Sequence, residues 1–258
     1  MAQASGGGKD SLRDSDIQVR DICAAAIEVD TVAEFKDWIR KEVRFVLPHG
    51  ALACGHGRLT SSGVAMDYVL TVDYPVEHLA SLRNAAGGIE TPIMHRWFTT
   101  RAPVLFEADD PWPDVPAAWL ENFRRHQLVN AAVHACYDQV RCIGTYFSFH
   151  RLPAPLGQVQ RAILEGITPL LHETLLHVVS RVEAASSEWP ELSACEREVL
   201  RQLGEGRSHR DIAGGLGLAE HTVADHVAAL LGKTGAGSLA GLVAALDAQG
   251  RGGGTRLL

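Results

Sequence analysis

Two groups of side chains in the last quarter of the 258-residue sequence have the types and spacing of a DNA contact. The first group is Arg207, Ser208, His209 and Arg210, and the second is Thr222, Val223, Ala224, Asp225 and His226, with Lys233 farther along the chain. Arginine, lysine and hydroxyl side chains bind phosphate oxygens, which positions a protein on the duplex without reading its sequence. A carboxylate in the major groove accepts a hydrogen bond from the cytosine amino group. The pattern therefore predicts phosphate contacts from the first group and a base contact from Asp225.

Local signals predict the helices that would hold these groups in place. Ser193 with Glu196, and Ser208 with Asp211, are typical of helix starts at which a hydroxyl and a carboxylate each satisfy a free backbone N–H. Apolar residues at helical spacing then predict a short helix, a sharp turn at Gly217 and a longer helix over residues 220–231. This order is typical of a helix-turn-helix, whose second helix enters the major groove.

The charge of this region leaves two interpretations open. The predicted recognition helix contains neither lysine nor arginine, and residues 191–258 carry eight acidic against seven basic side chains. Because phosphate binding is an electrostatic effect, we expect low non-specific affinity for DNA. One interpretation is a DNA-binding domain with an unusual base preference. The other is a degenerate domain that keeps its packing and acts through protein-protein interaction.

Residues 189–248 resemble the C-terminal domain of the LuxR family of bacterial transcription regulators. Glu196, Leu200 and Gly206 match the most characteristic positions of that family, and Ile212, Ala213, Leu216, Thr222, Val223, His226 and Lys233 are in register with it. The resemblance implies a dimeric regulator that binds double-stranded DNA. The chain departs from the family where arginine, lysine or a capping serine is usual, at Cys195, Ala219, Ala224, Ala228 and Leu239.

The preceding part of the chain alternates between helical and strand patterns. Thr31 and Glu34 form another helix start, and apolar residues recur at helical spacing up to Pro48. Apolar runs predict strands at 51–57, 64–72, 104–106, 131–137 and 140–149, and helices are expected at 75–86, 92–100, 117–126 and 156–182. Helices flanking a five-stranded, mainly antiparallel sheet give an α-β-α sandwich. The predicted fold class is therefore α+β, with an all-α helix-turn-helix domain after the sandwich.

This sandwich resembles the autoinducer-binding domain of LuxR-type regulators in the spacing of Tyr74, Pro75, Pro92 and residues 102–106. The corner at residues 47–50 resembles a LuxR-like subgroup associated with exopolysaccharide genes. The resemblance implies a ligand pocket with Tyr68, Tyr74, His78, Leu82, Thr91, Phe106 and Ser148. His78, Leu82, Thr91 and Phe106 stand where the family has Trp, Tyr, Asp and Trp around an acyl-homoserine lactone. Without the carboxylate the amide of such a lactone lacks a strong partner, so we expect a different, more apolar ligand or none.

The long helix predicted at 156–182 carries an apolar stripe that suits a partner helix. One interpretation is a homodimer seam through Val159, Ile163, Leu170 and Val178, because two helix-turn-helix units are needed to bind two half-sites. The alternative is that the stripe covers the sheet of its own domain. The expected organisation is a disordered N-terminus at 1–15, a sensor domain at 16–182, a linker at 183–190 and a helix-turn-helix domain at 191–250, with its motif at about 209–228.

Composition argues against several other classes of function. A formal net charge of −7 does not suit a protein that coats nucleic acid non-specifically. The histidines lack metal-ligand spacing, and no phosphate-binding loop or nucleophile motif occurs, so we expect no metal, no cofactor and no enzymatic activity. No apolar run reaches the roughly 18 residues of a membrane span, and the cysteines suit a reducing compartment. We therefore expect a cytoplasmic protein.

Overall fold

The described chain begins with helices that pack on one face of a sheet. The computed structural model describes residues 22–60, 63–83, 89–138, 143–186, 192–250 and 256–258, so the disorder expected at 1–15 lies outside the described residues. After a helical segment at 22–27, α1 (Val32–Trp38) begins where the Thr31 hydroxyl accepts from the Glu34 N–H and the Glu34 carboxylate accepts from the Thr31 N–H. A π-helical turn (Ile39–Val43) continues it into α2 (Arg44–Val46).

One mixed sheet forms the middle layer. Its strands are β1 (Ala51–Thr60), β2 (Gly63–Val72), β3 (Val104–Glu107), β4 (Asn130–Asp138), β5 (Ile143–His150) and β6 (Arg256–Leu257). They lie in the order β3-β4-β5-β1-β2-β6, and all neighbours are antiparallel except β2 and β6, which are parallel. The central strand β1 pairs Leu52 with Val72 on one side and with Phe149 on the other. Within the described residues the sheet thus has one strand more than expected, because the C-terminus returns to its edge.

Helices cover both faces of this sheet. They are α3 (Val76–Ser81), α4 (Pro92–Thr100), α5 (Ala117–Arg125) and α6 (Gln158–Ser186), together with α1. Helices α1 and α6 pack over one face, around Leu52 and Phe147, whereas α3, α4 and α5 pack over the other, around Val69 and Phe106. Successive strand residues point to opposite faces, so each strand supplies both layers. The expected α-β-α sandwich is confirmed.

The end of the sensor domain differs from the sequence-based boundary. Helix α6 continues to Ser186, so residues 183–186, expected in a linker, are helical. Glu183 is hydrogen-bonded to Tyr68 of β2, which ties this last turn to the sheet. The remainder of the expected linker, residues 187–190, lies outside the described residues.

Four helices form the C-terminal domain: α7 (Ala194–Gly204), α8 (His209–Leu216), α9 (Glu220–Thr234) and α10 (Leu239–Gly250). They pack around an apolar cluster that includes Val199, Ile212, Val223, Leu230 and Leu242. This is the all-α domain expected from the sequence. Among the described residues, no helix has both the length and the hydrophobicity needed to cross a lipid bilayer.

Candidate functional site

Helices α8 and α9 form a helix-turn-helix whose shape follows from its end groups. The Ser208 hydroxyl accepts from the Asp211 N–H at 3.2 Å, and the Asp211 carboxylate accepts from the Ser208 N–H at 3.3 Å. Helix α8 ends at Gly217, whose left-handed conformation (φ 65°, ψ 29°) favours glycine. Helix α9 then starts after Ala219, which has no side-chain oxygen to cap it. The turn directs α9 across α8 and leaves one long face of α9 outward.

This outer face of α9 is the candidate contact surface. Val223 and Leu230 are fully buried in the domain core, and Val227 is nearly so. Because helix residues three, four and seven apart share a face, Ala224, Asp225 and Ala228 are exposed on the opposite side. The contact surface therefore consists of two small uncharged side chains, Ala224 and Ala228, and one acidic side chain, Asp225.

Each basic side chain expected at the contact has a carboxylate partner. Arg207 Nε lies 3.4 Å from Glu205 Oε2, and Arg210 Nε lies 3.6 Å from Glu220 Oε2. Lys233 Nζ donates to Glu196 Oε2 at 2.8 Å, and this hydrogen bond lowers the pKa of Glu196 to about 2. These pairs reduce the positive potential that would attract phosphate.

A cavity lies in the α-β-α sandwich, between the sheet and helices α3, α4 and α5. Its empty volume, counting the space at its mouth, is about 510 Å³. The wall combines apolar side chains such as Val69, Ile93 and Phe123 with a few polar ones. None of the described residues that line it is Asp, Glu, Lys or Arg. Such a predominantly apolar cavity with a few polar groups is typical of a small-molecule site.

The polar side chains of the cavity form a chain along β5. Ser148 Oγ lies 2.8 Å from His150 Nε2, and the Tyr146 hydroxyl is hydrogen-bonded to Thr91 and Ser148. Burial lowers the pKa of His150 to about 3 and raises the pKa of Tyr146 above its usual range. Both side chains are therefore neutral at pH 7.

A second polar cluster closes the cavity beside α3. Asn122 Nδ2 donates to Ser81 Oγ at 2.7 Å and lies 3.1 Å from His78 Nδ1. The amide nitrogen carries two hydrogens and accepts none, so His78 Nδ1 is the acceptor and the ring proton is on Nε2. Burial lowers the pKa of His78 to about 4, which keeps the ring neutral.

Sequence comparison identifies the C-terminal domain. Residues 190–246 match the family model of bacterial regulatory proteins of the luxR family. The protein carries a LuxR-type helix-turn-helix domain. The match spans α7, α8, the Gly217 turn and α9, as expected from Glu196, Leu200 and Gly206. None of the curated proteins matches the chain in sequence.

Several solved structures are similar to this chain. The N-acylhomoserine-lactone-dependent LuxR-family transcription factor CepR2 from Burkholderia cenocepacia superposes with a TM-score of 0.51 at 17% identity, covering 64% of this chain and 95% of that one. Escherichia coli SdiA gives 0.48 at 17% identity, covering 90% and 96%, and SdiA in complex with octanoyl-rac-glycerol gives 0.47 at 17%, covering 93% and 95%. The likeness to CepR2 shows a shared fold.

The residues expected at the DNA contact of the LuxR-type domain are only partly on its surface. Ala224, Asp225, Arg207 and Arg210 are exposed, and Thr222, His209 and His226 are half-buried. The Ser208 hydroxyl caps α8, Lys233 pairs with the start of α7, and His226 Nε2 lies 3.5 Å from Cys195 Sγ. The assignment of Val223 to the contact surface is wrong, because the helical repeat places it in the core.

Most residues expected in the ligand pocket line the cavity. These are Tyr74, His78, Leu82, Thr91 and Ser148. The assignment of Tyr68 to the pocket is wrong, because this side chain belongs to the core on the opposite face of the sheet. Strand alternation places Tyr68 with Leu70 and Val72 on that face, because the neighbouring Val69 lines the cavity. The bulge at Asp67, where His56 pairs with Tyr68 but Gly57 pairs with Met66, instead brings Met66 to the cavity face. The assignment of Phe106 to the pocket is also wrong, because its ring packs behind the rings of Trp119 and Phe123, which line the cavity.

The apolar stripe of α6 mainly serves its own domain. Val178 is fully buried in the sensor core, so its assignment to a dimer seam is wrong. Ile163 and Leu170 are partly buried against the same core, as expected if the stripe covers its own sheet. Val159, at the start of α6, is 68% exposed and is not accounted for by this packing.

Several cavity residues were missed by the sequence reasoning. Tyr146 and His150 flank Ser148 at intervals of two along β5, so the strand alternation contained the signal that all three share a face. Trp119, on α5, reaches the cavity only through the packing of that helix on the sheet, and no local signal in the sequence indicates it.

Proposed function

We propose that the protein is a transcription regulator that binds double-stranded DNA through α9 and responds to a small molecule held in the cavity of its sensor domain. The observation that carries this proposal is the exposed outer face of α9, where Ala224, Asp225 and Ala228 are directed away from the core of the LuxR-type domain. In a helix-turn-helix this face enters the major groove, while the start of the preceding helix approaches the backbone.

The proposed contacts are of two kinds, phosphate contacts that position the protein on DNA and a base contact that recognises the sequence. The Arg210 side chain is 86% exposed, and its ion pair with Glu220 is a surface pair worth at most about 1 kcal/mol, so a phosphate can replace the carboxylate. Arg207, 47% exposed, acts in the same way. The Asp225 carboxylate accepts from a cytosine amino group, which favours C·G pairs and repels non-cognate DNA.

The regulator is expected to act as a homodimer in the cytoplasm, where its DNA target lies. Two recognition helices are needed to engage half-sites about one helical turn apart. Because Val178 is buried, the seam would involve the start of α6 near Val159 rather than the whole stripe. The ligand is expected to set the relative placement of the two LuxR-type domains.

A salt titration of the full-length protein against fragmented genomic DNA of its own host tests the proposal. We expect saturable, sequence-selective binding by two chains per site. Arg210→Ala should weaken binding to all sequences and reduce the salt slope by about one phosphate contact. Asp225→Asn should change the preferred base instead, because an asparagine amide pairs with adenine. Arg181→Ala, an exposed substitution on α6, is the control and should bind as the parent does.

The alternative function is a protein-interaction module without DNA affinity. It is favoured by one specific observation, the carboxylate partners of Arg207, Arg210 and Lys233. Absence of DNA binding at low salt, with the dimer intact and with or without ligand, would reject the DNA-binding proposal. The search would then turn to protein partners of the LuxR-type domain.

A further inference from the structure

A second cavity adjoins the first on the same face of the sheet. Its empty volume is about 380 Å³, and it lies between the sheet and the second half of α4, next to Trp97 and Phe98. Met66, Met94 and Tyr146 line both cavities. These three side chains therefore form the partition between two chambers.

The flexible part of the partition is the Met66 side chain, which fills the space left by two glycines. A Cβ atom at Gly55 would lie 2.2 Å from Met66 Cε, and one at Gly57 would lie 3.1 Å from Met66 Sδ. The two glycines of β1 thus leave the space that this side chain occupies. A methionine side chain has three rotatable bonds and adapts to irregular surroundings. Rotation of Met66 and Met94 would join the chambers without moving the backbone.

The polar end of the first chamber has unused hydrogen-bonding groups. Nδ1 of His150, a side chain only 3% exposed, and Nε1 of Trp119 are buried and have no hydrogen-bond partner among the described residues. Buried polar atoms are normally hydrogen-bonded, and an indole N–H can only donate. A ligand that fits this end supplies an acceptor oxygen to Trp119.

The lining also restricts the charge of the ligand. With no Asp, Glu, Lys or Arg among the described lining residues of the first chamber, a charged group would lose its hydration without gaining a counter-charge. No carboxylate among the described lining residues can accept from an amide N–H, and the Thr91 hydroxyl already caps α4 by accepting from the Met94 N–H at 3.0 Å. A ligand without an N–H donor suits this wall.

We propose that the ligand is an elongated, uncharged amphiphile without an amide. Its acceptor-bearing head, of ester or ketone type, binds the Trp119 N–H, and its alkyl chain passes Met66 and Met94 into the second chamber. This inference rests on the proposed function, because it names the ligand class of the same cavity.

Binding of probes with matched chains tests this ligand class. The probes are 1-octanoyl-rac-glycerol and its dodecanoyl homologue, octanoate, octylammonium and N-octanoyl homoserine lactone, titrated into the full-length protein by calorimetry. We expect saturable binding of the acylglycerols, and binding at least about tenfold weaker for both charged probes and the lactone. Equal binding of the charged probes or of the lactone, or no acylglycerol binding up to the solubility limit, would overturn the proposal.

Three variants locate the head and the chain. Trp119→Phe keeps the ring packed on Phe123 but removes the N–H, and should weaken acylglycerol binding about threefold to tenfold. Trp112→Phe is the matched control, since Trp112 packs on Phe106 outside the lining and should leave binding unchanged. Met66→Ala should favour the dodecanoyl over the octanoyl probe, and an unchanged ratio would reject the passage between chambers.

Failure of this inference is distinguishable from failure of the proposed function. DNA binding is measured on the same preparation without any probe. A protein that binds DNA selectively but none of the acylglycerols is a regulator with another kind of ligand or none.

Discussion

Six histidines of the sensor domain share one property, which is a pKa below the ordinary value. His49, His78 and His150 are each at most 5% exposed, and burial lowers their pKa to about 4, about 4 and about 3. Burial lowers the pKa of three further histidines in the same direction, namely His56, His134 and His172. The folded domain therefore keeps these rings neutral at a pH at which the unfolded chain protonates them.

We expect the sensor domain to lose stability as the pH falls below about 6.5. A histidine whose pKa is lowered by folding stabilises the protein above its unfolded pKa of 6.5, and this contribution is lost as the pH falls toward the folded value of 3 to 4. Each such histidine contributes up to about 1.4 kcal/mol per pH unit in this window. The measurement is the thermal midpoint at several pH values between about 7.5 and about 5.

His150→Gln provides the comparison for this pH response. The variant removes one titrating ring, so its midpoint should depend less steeply on pH than that of the parent, even if the variant is less stable overall. A parent midpoint that stays constant over the same range would contradict the expected response.

Among the elements, the first three helices of the LuxR-type domain differ in how they start. Ser193 caps α7 and Ser208 caps α8, each with a carboxylate three residues on, whereas Ala219 leaves α9 without a side-chain cap. Helix α9 is held from its other end, where Lys233 pairs with Glu196 in the first turn of α7. The recognition helix is thus anchored by tertiary contacts rather than by its own start.

Ala219→Ser should therefore stabilise the LuxR-type domain. Ala219 already has the extended conformation of a cap residue (φ −79°, ψ 150°), so a serine hydroxyl can accept from a free N–H of the first turn. We expect a gain of about 1 kcal/mol in the free energy of unfolding, measured by urea denaturation. Ser208→Ala is the matched opposite change and should lower stability by a similar amount. A loss of stability in Ala219→Ser would show that the start of α9 is held in another way.

At the scale of the whole molecule, the contacts among the described residues that tie the LuxR-type domain to the sensor domain include an ion pair and a strand pairing. Arg58 of β1 binds Asp67 of β2 through two hydrogen bonds and also Glu205 at the end of α7, at 2.7 Å. The C-terminal strand β6 pairs with β2, and Lys36 of α1 donates to the Leu258 oxygen at 3.0 Å. Since Met66 and Val69 on the same stretch of β2 line the ligand cavity, the cavity wall and these ties share one strand.

Removal of both ties should loosen the two domains. Arg58→Ala alone is expected to have a small effect, because a partly exposed ion pair contributes at most about 1 kcal/mol. Combined with deletion of residues 256–258, it should increase the radius of gyration measured by X-ray scattering and speed proteolysis between the domains. Arg40→Ala is the control, since its partner Asp73 lies within the sensor domain. An unchanged radius in the combined variant would show that other contacts hold the domains together.

Interactions between residues close in sequence allowed much of the architecture to be predicted. Hydroxyl and carboxylate pairs three residues apart marked the starts of α1, α7 and α8, and apolar spacing distinguished helix from strand in both domains. Such signals can be recognised in a sequence because the interacting residues lie only three or four positions apart. They also predicted the α-β-α sandwich, whereas the cavity residues Tyr74, His78, Thr91 and Ser148 were expected from the family resemblance alone.

Only the tertiary structure decided the direction of several side chains and the contacts between distant segments. These features depend on partners far apart in sequence or on small shifts of strand register. A single bulge at Asp67 turned Met66 toward the cavity while Tyr68 stayed on the opposite face, and packing on the sheet buried Val178. The pairing of Arg58 with Glu205 and the return of β6 to β2 join distant segments, and nothing in the residues near either partner indicates the other. The sequence by itself determined most of the helices and strands and the helix-turn-helix in the C-terminal domain, but not β6 or the last turn of α6. Packing decided which side chains face the cavity, the core and the neighbouring domain, because burial depends on the whole set of contacts rather than on local order.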